Sequence, residues 1–389
     1  KWEFDKLPPL TKFGKQTLSV IGVARDIRTG LDLPPVFRQG AVLSLSQPIK
    51  ATLSTFTALN AMRSEKVMHR IDALRKADPA YPLAERGEVF FSEHGGPLTK
   101  HEEAIRSNLS KKIPFLAGNQ RGYVTFLNDL RFRTFKSLIN LFFRGRNPTD
   151  AELKAVGNMV NVFSGRGAPL LGERAADAMN QVFFAARNAT SKFQILFGTP
   201  MYSKSPRVIA AAASIYARAL IGAGIVYELA KLGGFSVNTD PSSSDFLKLK
   251  FGNRRLDPLG GLIQAAVLMN RLATGVKTTV GGRKVDLRSG KYGQEDVPGV
   301  IGKFGRSKLA PLPSTALDLL SGKDYVGNPV TVKSALKNLI FPMTADDLIA
   351  SMKEENVPQA RIMEMMSLFG AGLQTYDSNK RNAPPSGMR

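Results

Sequence analysis

The chain has no cysteine, only three histidines and one tryptophan, and its acids are outnumbered, with 32 Asp and Glu against 54 Lys and Arg. Without a thiol there is no disulfide framework, cysteine zinc site, iron–sulfur cluster or cysteine nucleophile. His69, His94 and His101 alone leave little room for a Ser-His-Asp triad or a histidine metal centre. The expectation is a protein that is not an enzyme and carries no cofactor or metal. No continuous apolar segment of signal-peptide character follows Lys1, and the sequence reads as a segment of a longer polypeptide.

What is present is bulk and positive charge. At 389 residues with 43% hydrophobic content the chain is long enough to bury a sizeable core, which excludes wholesale disorder. A net charge of +22 calls for an anionic partner such as nucleic acid or an anionic lipid surface, or for neutralisation inside an assembly.

Apolar spacing of three and four predicts a mainly α protein, an elongated multi-helix assembly subunit with one small β-hairpin near 276–287. The pattern over 40–74 is broken near Pro48. The run 121–143 places Tyr123, Phe126, Leu127, Leu130, Leu138 and Phe142 on one broad face, and Thr149 to Glu152 starts a further helix with cap-like residues. More helix is expected over 173–198, 261–272, 301–309, 314–320, 332–339, 344–355 and 359–369. A short strand is expected over 246–251, and Gly281-Gly282 marks the hairpin turn. The expected division is 1–120 helical and loop region, 121–235 helical core, 236–330 loop-rich basic region and 331–389 acidic helical segment.

Residues 208–232 are the most apolar stretch, long enough to cross much of a bilayer, but Arg218 occupies its centre. A charge there costs about 2.5–3.5 kcal/mol on the insertion scale, and Ala and Gly offset little of it. A transmembrane helix and a packed or assembly-lining helix are the two readings, with Ala211, Arg218, Gly222 and Gly224 as the residues making helix or membrane contact.

Positive charge concentrates twice. Between Arg106 and Arg146 nine basic residues (Arg106, Lys111, Lys112, Arg121, Arg131, Arg133, Lys136, Arg144 and Arg146) face the single acid Asp129. Between Lys248 and Lys308, thirteen bases, among them Lys248, Lys250, Arg254 and Arg255, face four acids. These stretches are the candidate phosphate contacts. Arg131, Arg133 and Lys136 interleave with Phe132 and Phe135, which suits either a grip on single strands or a core face bordered by solvated cations.

His94, His101, Glu102 and Glu103 hold ligand-type atoms, but their spacing does not enforce convergence, so a metal site and ordinary surface residues both remain. Residues 340–377 reverse the balance, with six acids and two bases. A basic body with an acidic end suits head-to-tail association of copies; helix caps and solvated acids explain it equally.

A family resemblance rests on blocks distributed along the chain. They are Arg38-Gln39-Gly40-Ala41, Tyr123 to Arg131, Asn161-Val162-Phe163-Ser164-Gly165-Arg166-Gly167, Phe193 to Gly198, Thr239-Asp240-Pro241, Ser243 to Phe246 and Phe251 to Gly261. Ser307 to Pro311, Gly322 to Gly327 and Phe369 to Asp377 complete the series. In this order the blocks resemble the large polyvalent protein associated regions of tailed bacteriophages. The resemblance implies an internal virion or DNA-ejection protein, packaged in the virion interior and delivered to the host cell envelope. Its implied partners are copies of itself, portal and tail or other ejection proteins, phage DNA and the host inner membrane. The alternative is a basic nucleic-acid-binding effector injected with the DNA. No catalytic residue comes with either.

Overall fold

The computed structural model describes residues 33, 35–92, 114–168, 185–279, 282–290, 295–309, 311–322, 329–331, 334 and 357–375. These form a mainly helical protein with small antiparallel sheets. The expected helices over 332–339 and 344–355 lie essentially outside the described residues, as do Arg106, Lys111, Lys112, His94, His101, Glu102 and Glu103.

The chain enters through α1 (Ala41–Ser46), α2 (Pro48–Arg63), α3 (Glu65–Lys76) and α4 (Tyr81–Arg86). Pro48 opens α2 at a position where its missing N–H has no helical partner to lose. A second break, absent from the expectation, falls at Ser64, whose hydroxyl accepts the Val67 amide at 3.2 Å and caps α3.

The long α5 (Pro114–Phe142) starts earlier than 121, because Pro114 begins a helix as readily as it ends one. Its 29 residues span about 43 Å at 1.5 Å per residue. The face of α2 turned into the protein is made of Ala51, Ser54, Ala58 and Ala61, and Gly118 and Gly122 of α5 lie against the Met62 region. Small residues on both sides let the two helices approach closely. Ser54 Oγ donates to Asp129 Oδ2 at 2.8 Å across this interface.

Next comes α6 (Asp150–Phe163), started by a capping box: Thr149 Oγ1 accepts the Glu152 amide while Glu152 Oε2 accepts the Thr149 amide. Arg146 and the Ser205 hydroxyl also donate to Glu152. The Arg146 hydrogen bond leads in pulling the Glu152 carboxyl down to about 2 against the opposing effect of burial. Its contribution to stability is present above the ordinary carboxylate range and is lost as pH falls through that range toward 2.

After α7 (Ala186–Leu196), stopped by Gly198 at φ +70°, and a single 3₁₀ turn, α8 (Pro206–Leu232) crosses the molecule. The main core joins Leu43 of α1, Ala58 of α2, Phe126, Leu130 and Phe135 of α5, Val156 and Phe163 of α6, and Val208, Ala211 and Ile215 of α8. It therefore crosses the boundary expected at 120.

A four-stranded antiparallel sheet has the order β1 (Ser236–Val237), β2 (Leu249–Phe251), β3 (Arg254–Asp257), β6 (Gly372–Thr375). The strand expected over 246–251 is shortened to its last three residues; Leu247 has φ +52°, incompatible with extended pairing. Leu256 pairs with Leu373, so the 372–375 segment is added to the sheet as an edge strand beside β3. Phe235, Leu249, Leu256, Met363 and Leu373 form a second core on this sheet. Met363 comes from α12 (Pro358–Leu368), so the boundary expected at 330 is crossed as well.

The hairpin expected near 276–287 is present: β4 (Val276–Thr278) pairs with β5 (Lys284–Asp286), and Gly282 takes φ +83° at the turn. It flanks a third core of Leu268 from α9 (Leu262–Thr274), Leu287, and Val300 from α10 (Val297–Ser307). Helix α11 (Pro311–Ser321) follows.

Candidate functional site

Of the ten expected phosphate contacts among the described residues, four are buried and three more are half-buried and bonded to other parts of the protein. Arg131 is fully buried; its guanidinium donates to Ser164 Oγ at 2.6 Å and to the Ser164 and Phe90 carbonyls at 3.3 Å. Phe132 and Phe135 are core residues, which removes the single-strand grip. Arg133 pairs with Asp129 at 2.6 Å, and Lys136 pairs with Asp78 at 2.6 Å. Arg121 reaches across to the Ala61 and Met62 carbonyls at 3.2 and 2.7 Å, closing the C-terminal end of α2.

In the second basic stretch, Lys248, Arg254 and Arg255 are buried. Lys248 Nζ donates to Gln374 Oε1 at 2.9 Å, and Arg255 donates to Asp245 at 3.1 Å and to the Gly252 carbonyl at 3.0 Å. Arg131, Lys248, Arg254 and Arg255 are accordingly withdrawn as surface contacts. Counting cations along a sequence does not distinguish solvated ones from those that bind carbonyls inside the fold. Arg144, Arg146 and Lys250 remain exposed, although Arg146 is bonded to Glu152.

The exposed feature is apolar. Helix α8 is the described helix long and apolar enough by length and composition to cross a membrane. Its N-terminal half is fixed in the core by Val208, Ala211, Ala212 and Ile215. Beyond Arg218 the helix turns outward: Ile221, Ile225, Leu229 and Leu232, spaced four, four and three apart, share one exposed face with Leu220 beside it. Leu220 is 73% exposed and Leu232 85%.

Gly222 packs on α1, where a methyl group would overlap the Leu45 carbonyl oxygen; Gly224 faces open space. Lys50 at the start of α2 is pulled down by burial and then by the Arg218 charge. Helix α2 adds a parallel signal: Ile49, Leu53 and Phe56, at i, i+4 and i+7, are exposed on the side away from α5. The second half of the helix thus stays packed on one side, through Gly222, Tyr227 and Ala230, and leaves its Ile221, Ile225, Leu229 and Leu232 side exposed.

A third group was not singled out from the sequence. Lys192 of α7 is 4% exposed, and Asp257 at the end of β3 is equally enclosed. Asp257 accepts the Leu259 and Gly261 amides at 2.9 and 3.1 Å, a local turn that leads into α9. Burial pushes its carboxyl up, and the same cause pushes Lys192 down to about 8, with Asp257 opposing and Lys308 reinforcing that fall. Burial likewise lowers Lys248, opposed first by Asp245 and then by Asp257, and lowers Lys308, opposed by Asp257. Tyr227 borders the group and donates to the Leu247 carbonyl at 2.7 Å; burial, then Asp257, raises its hydroxyl. The available signal was two adjacent glycines after Asp257-Pro258; nothing in the local sequence distinguishes Lys192 or Lys308 from surface lysines.

No protein-family model, curated protein or solved structure matches the chain.

Proposed function

We propose that this chain is a non-enzymatic internal virion component of a tailed bacteriophage, assembling with copies of itself near portal and tail and helping to form a conduit for DNA through the host envelope. The observation that carries the assembly step is the exposed apolar face of α8, Ile221, Ile225, Leu229 and Leu232 with Leu220. An apolar stripe of this length on a folded surface is the mark of an interface, since isolated exposed apolar residues are ordinary and aligned ones are not. The sequence blocks described above support the virion setting, and the net charge of +22 supports proximity to packaged DNA. Helix α8 in this reading joins subunits and does not cross the bilayer alone, because its first half belongs to the core and Arg218 sits at its midpoint.

The test is the protein's location. Antibody detection in purified particles of the encoding phage should find the chain before genome release and lose it afterwards. Its absence from intact particles would refute the virion assignment.

A further inference from the structure

The exposed row on α8 runs the length of the helix. Arg207, Ala210 and Ala217 are exposed and Ser214 is half-buried, and with Ile221, Ile225, Glu228 and Leu232 they follow at steps of three or four, which keeps them on one face. The two halves of the row differ. The first carries small side chains behind one cation, and the second carries large apolar side chains with one acid. Among the described residues Arg207 has no hydrogen bond or ion pair, while Glu228 is paired with the exposed Lys231 at 2.7 Å, a surface contact of little worth.

Such a face complements itself when turned end for end. In an antiparallel pair of α8 helices centred on the Ala217–Arg218 peptide, Arg207 of one copy comes opposite Glu228 of the other, Ala210 opposite Ile225, and Ser214 opposite Ile221. The three pairs share that midpoint, so charge and size match in one register. Ser214 Oγ already donates to the Ala211 carbonyl at 2.7 Å, so covering it leaves no hydrogen unplaced. At the far end Leu232 reaches toward the turn that precedes the other copy's α8, where Met201 and Tyr202 are exposed. A parallel pair in register would instead set Arg207 on Arg207 and large side chains on large ones. Arg218 lies about 60° around the helix from Ile221, beside the row rather than in it.

We infer that α8 pairs with α8 of a second copy of the chain, antiparallel, about a twofold axis at the Ala217–Arg218 peptide. The inference rests on the reading of this face as an interface between copies and adds its geometry: a closed pair in which every contact occurs twice. The small side chains of each copy form the groove into which Ile221 and Ile225 of the other fit, and Arg207 and Glu228 fix the register.

The chain has no cysteine, so disulfide trapping with single introduced cysteines reports the pairing directly. The whole chain carrying Ala217→Cys, Ala210→Cys or Ile225→Cys is mildly oxidised, with sedimentation of wild type alongside; all three positions are exposed, so the substitutions should leave the fold intact. Ala217 lies beside the axis, and Ala217→Cys should form a covalent dimer by itself. Ala210 and its copy are separated by about 22 Å along the helix, beyond the roughly 7 Å between Cα atoms that a disulfide spans. Ala210→Cys and Ile225→Cys should therefore each stay unlinked alone and link when mixed. Charge reversal gives a second readout. Arg207→Glu or Glu228→Arg alone should weaken the dimer about tenfold, because each like-charge contact occurs twice, and the two together should restore it to within about threefold. An oligomeric wild type in which Ala210→Cys links to itself, or Ala217→Cys does not, would overturn the antiparallel pairing and leave the interface reading standing. A wild type that is monomeric at every concentration would overturn both.

Discussion

Replacing Gly157 by alanine is expected to lower the stability of the protein by about 3 kcal/mol, the upper part of the usual range for an overpacked core. Gly157 lies on the face of α6 that touches the 87–89 segment, and an added methyl would overlap the Gly87 carbonyl oxygen and come within 2.7 Å of its carbon. That segment has nowhere to retreat. The Gly87 and Val89 amides donate to Leu83 and Ala84 at 2.9 and 3.0 Å, and Asn161 clasps it from α6 by accepting the Phe90 amide at 2.8 Å and donating to the Glu88 carbonyl at 2.9 Å. Gly224→Ala supplies a control of opposite sign: it sits in a helix with nothing near its added methyl, so it should gain up to about 1 kcal/mol of helix propensity. Urea unfolding of the two variants checks both. Equal stability of Gly157→Ala and wild type would mean that α6 and the 87–89 segment are not packed as described.

Lys192→Met should have an effect of similar size in the other direction. In the folded chain burial holds the Lys192 ammonium down to about 8, against 10.5 for a free lysine. Protonating it therefore costs the folded state about 3 kcal/mol more than the unfolded one, at 1.36 kcal/mol per pH unit. The sign follows from proton counting. Below about pH 8 the penalty is complete, and it fades as pH rises toward 10.5, because there the unfolded chain binds the proton and the folded chain does not. Wild-type stability should climb with pH through that window and the variant's should not, since methionine fills a similar volume without a charge. At neutral pH the variant should be the more stable protein by about 3 kcal/mol. Measured stability that falls on substitution would show the Lys192 ammonium to be satisfied inside the protein.

Much of the fold was legible in the sequence, for identifiable reasons. Thr149 and Glu152 formed the expected helix start because a capping box depends only on local chemistry. The 276–287 hairpin was marked by paired glycines, and the helices over 261–272 and 359–369 by apolar spacing. Features that depend on distant partners were not legible. Strand β6 is a four-residue edge segment whose partner, β3, lies more than a hundred positions away in the chain. Arg131 looked like a phosphate contact because it stands in a run of nine bases facing one acid; its burial is decided by Ser164, which α6 brings to it. Lys192 and Asp257 carry no local mark because their meaning arises from proximity in space. For 208–232 the composition was sufficient to identify an apolar helix, but only the packing of its first half on the core separates the inward residues from the outward ones.

The central claim is that the outward face of α8 joins copies of the chain. Sedimentation velocity of wild type and of the double variant Ile221→Glu with Ile225→Glu, over a range of protein concentrations, tests it most directly. Both positions are exposed, so the substitutions should leave the fold and its unfolding midpoint nearly unchanged while placing a charge in the interface. The account predicts a concentration-dependent oligomer for wild type and a monomer for the variant at every concentration. A wild type that stays monomeric throughout, or a variant that assembles as wild type does, would contradict it.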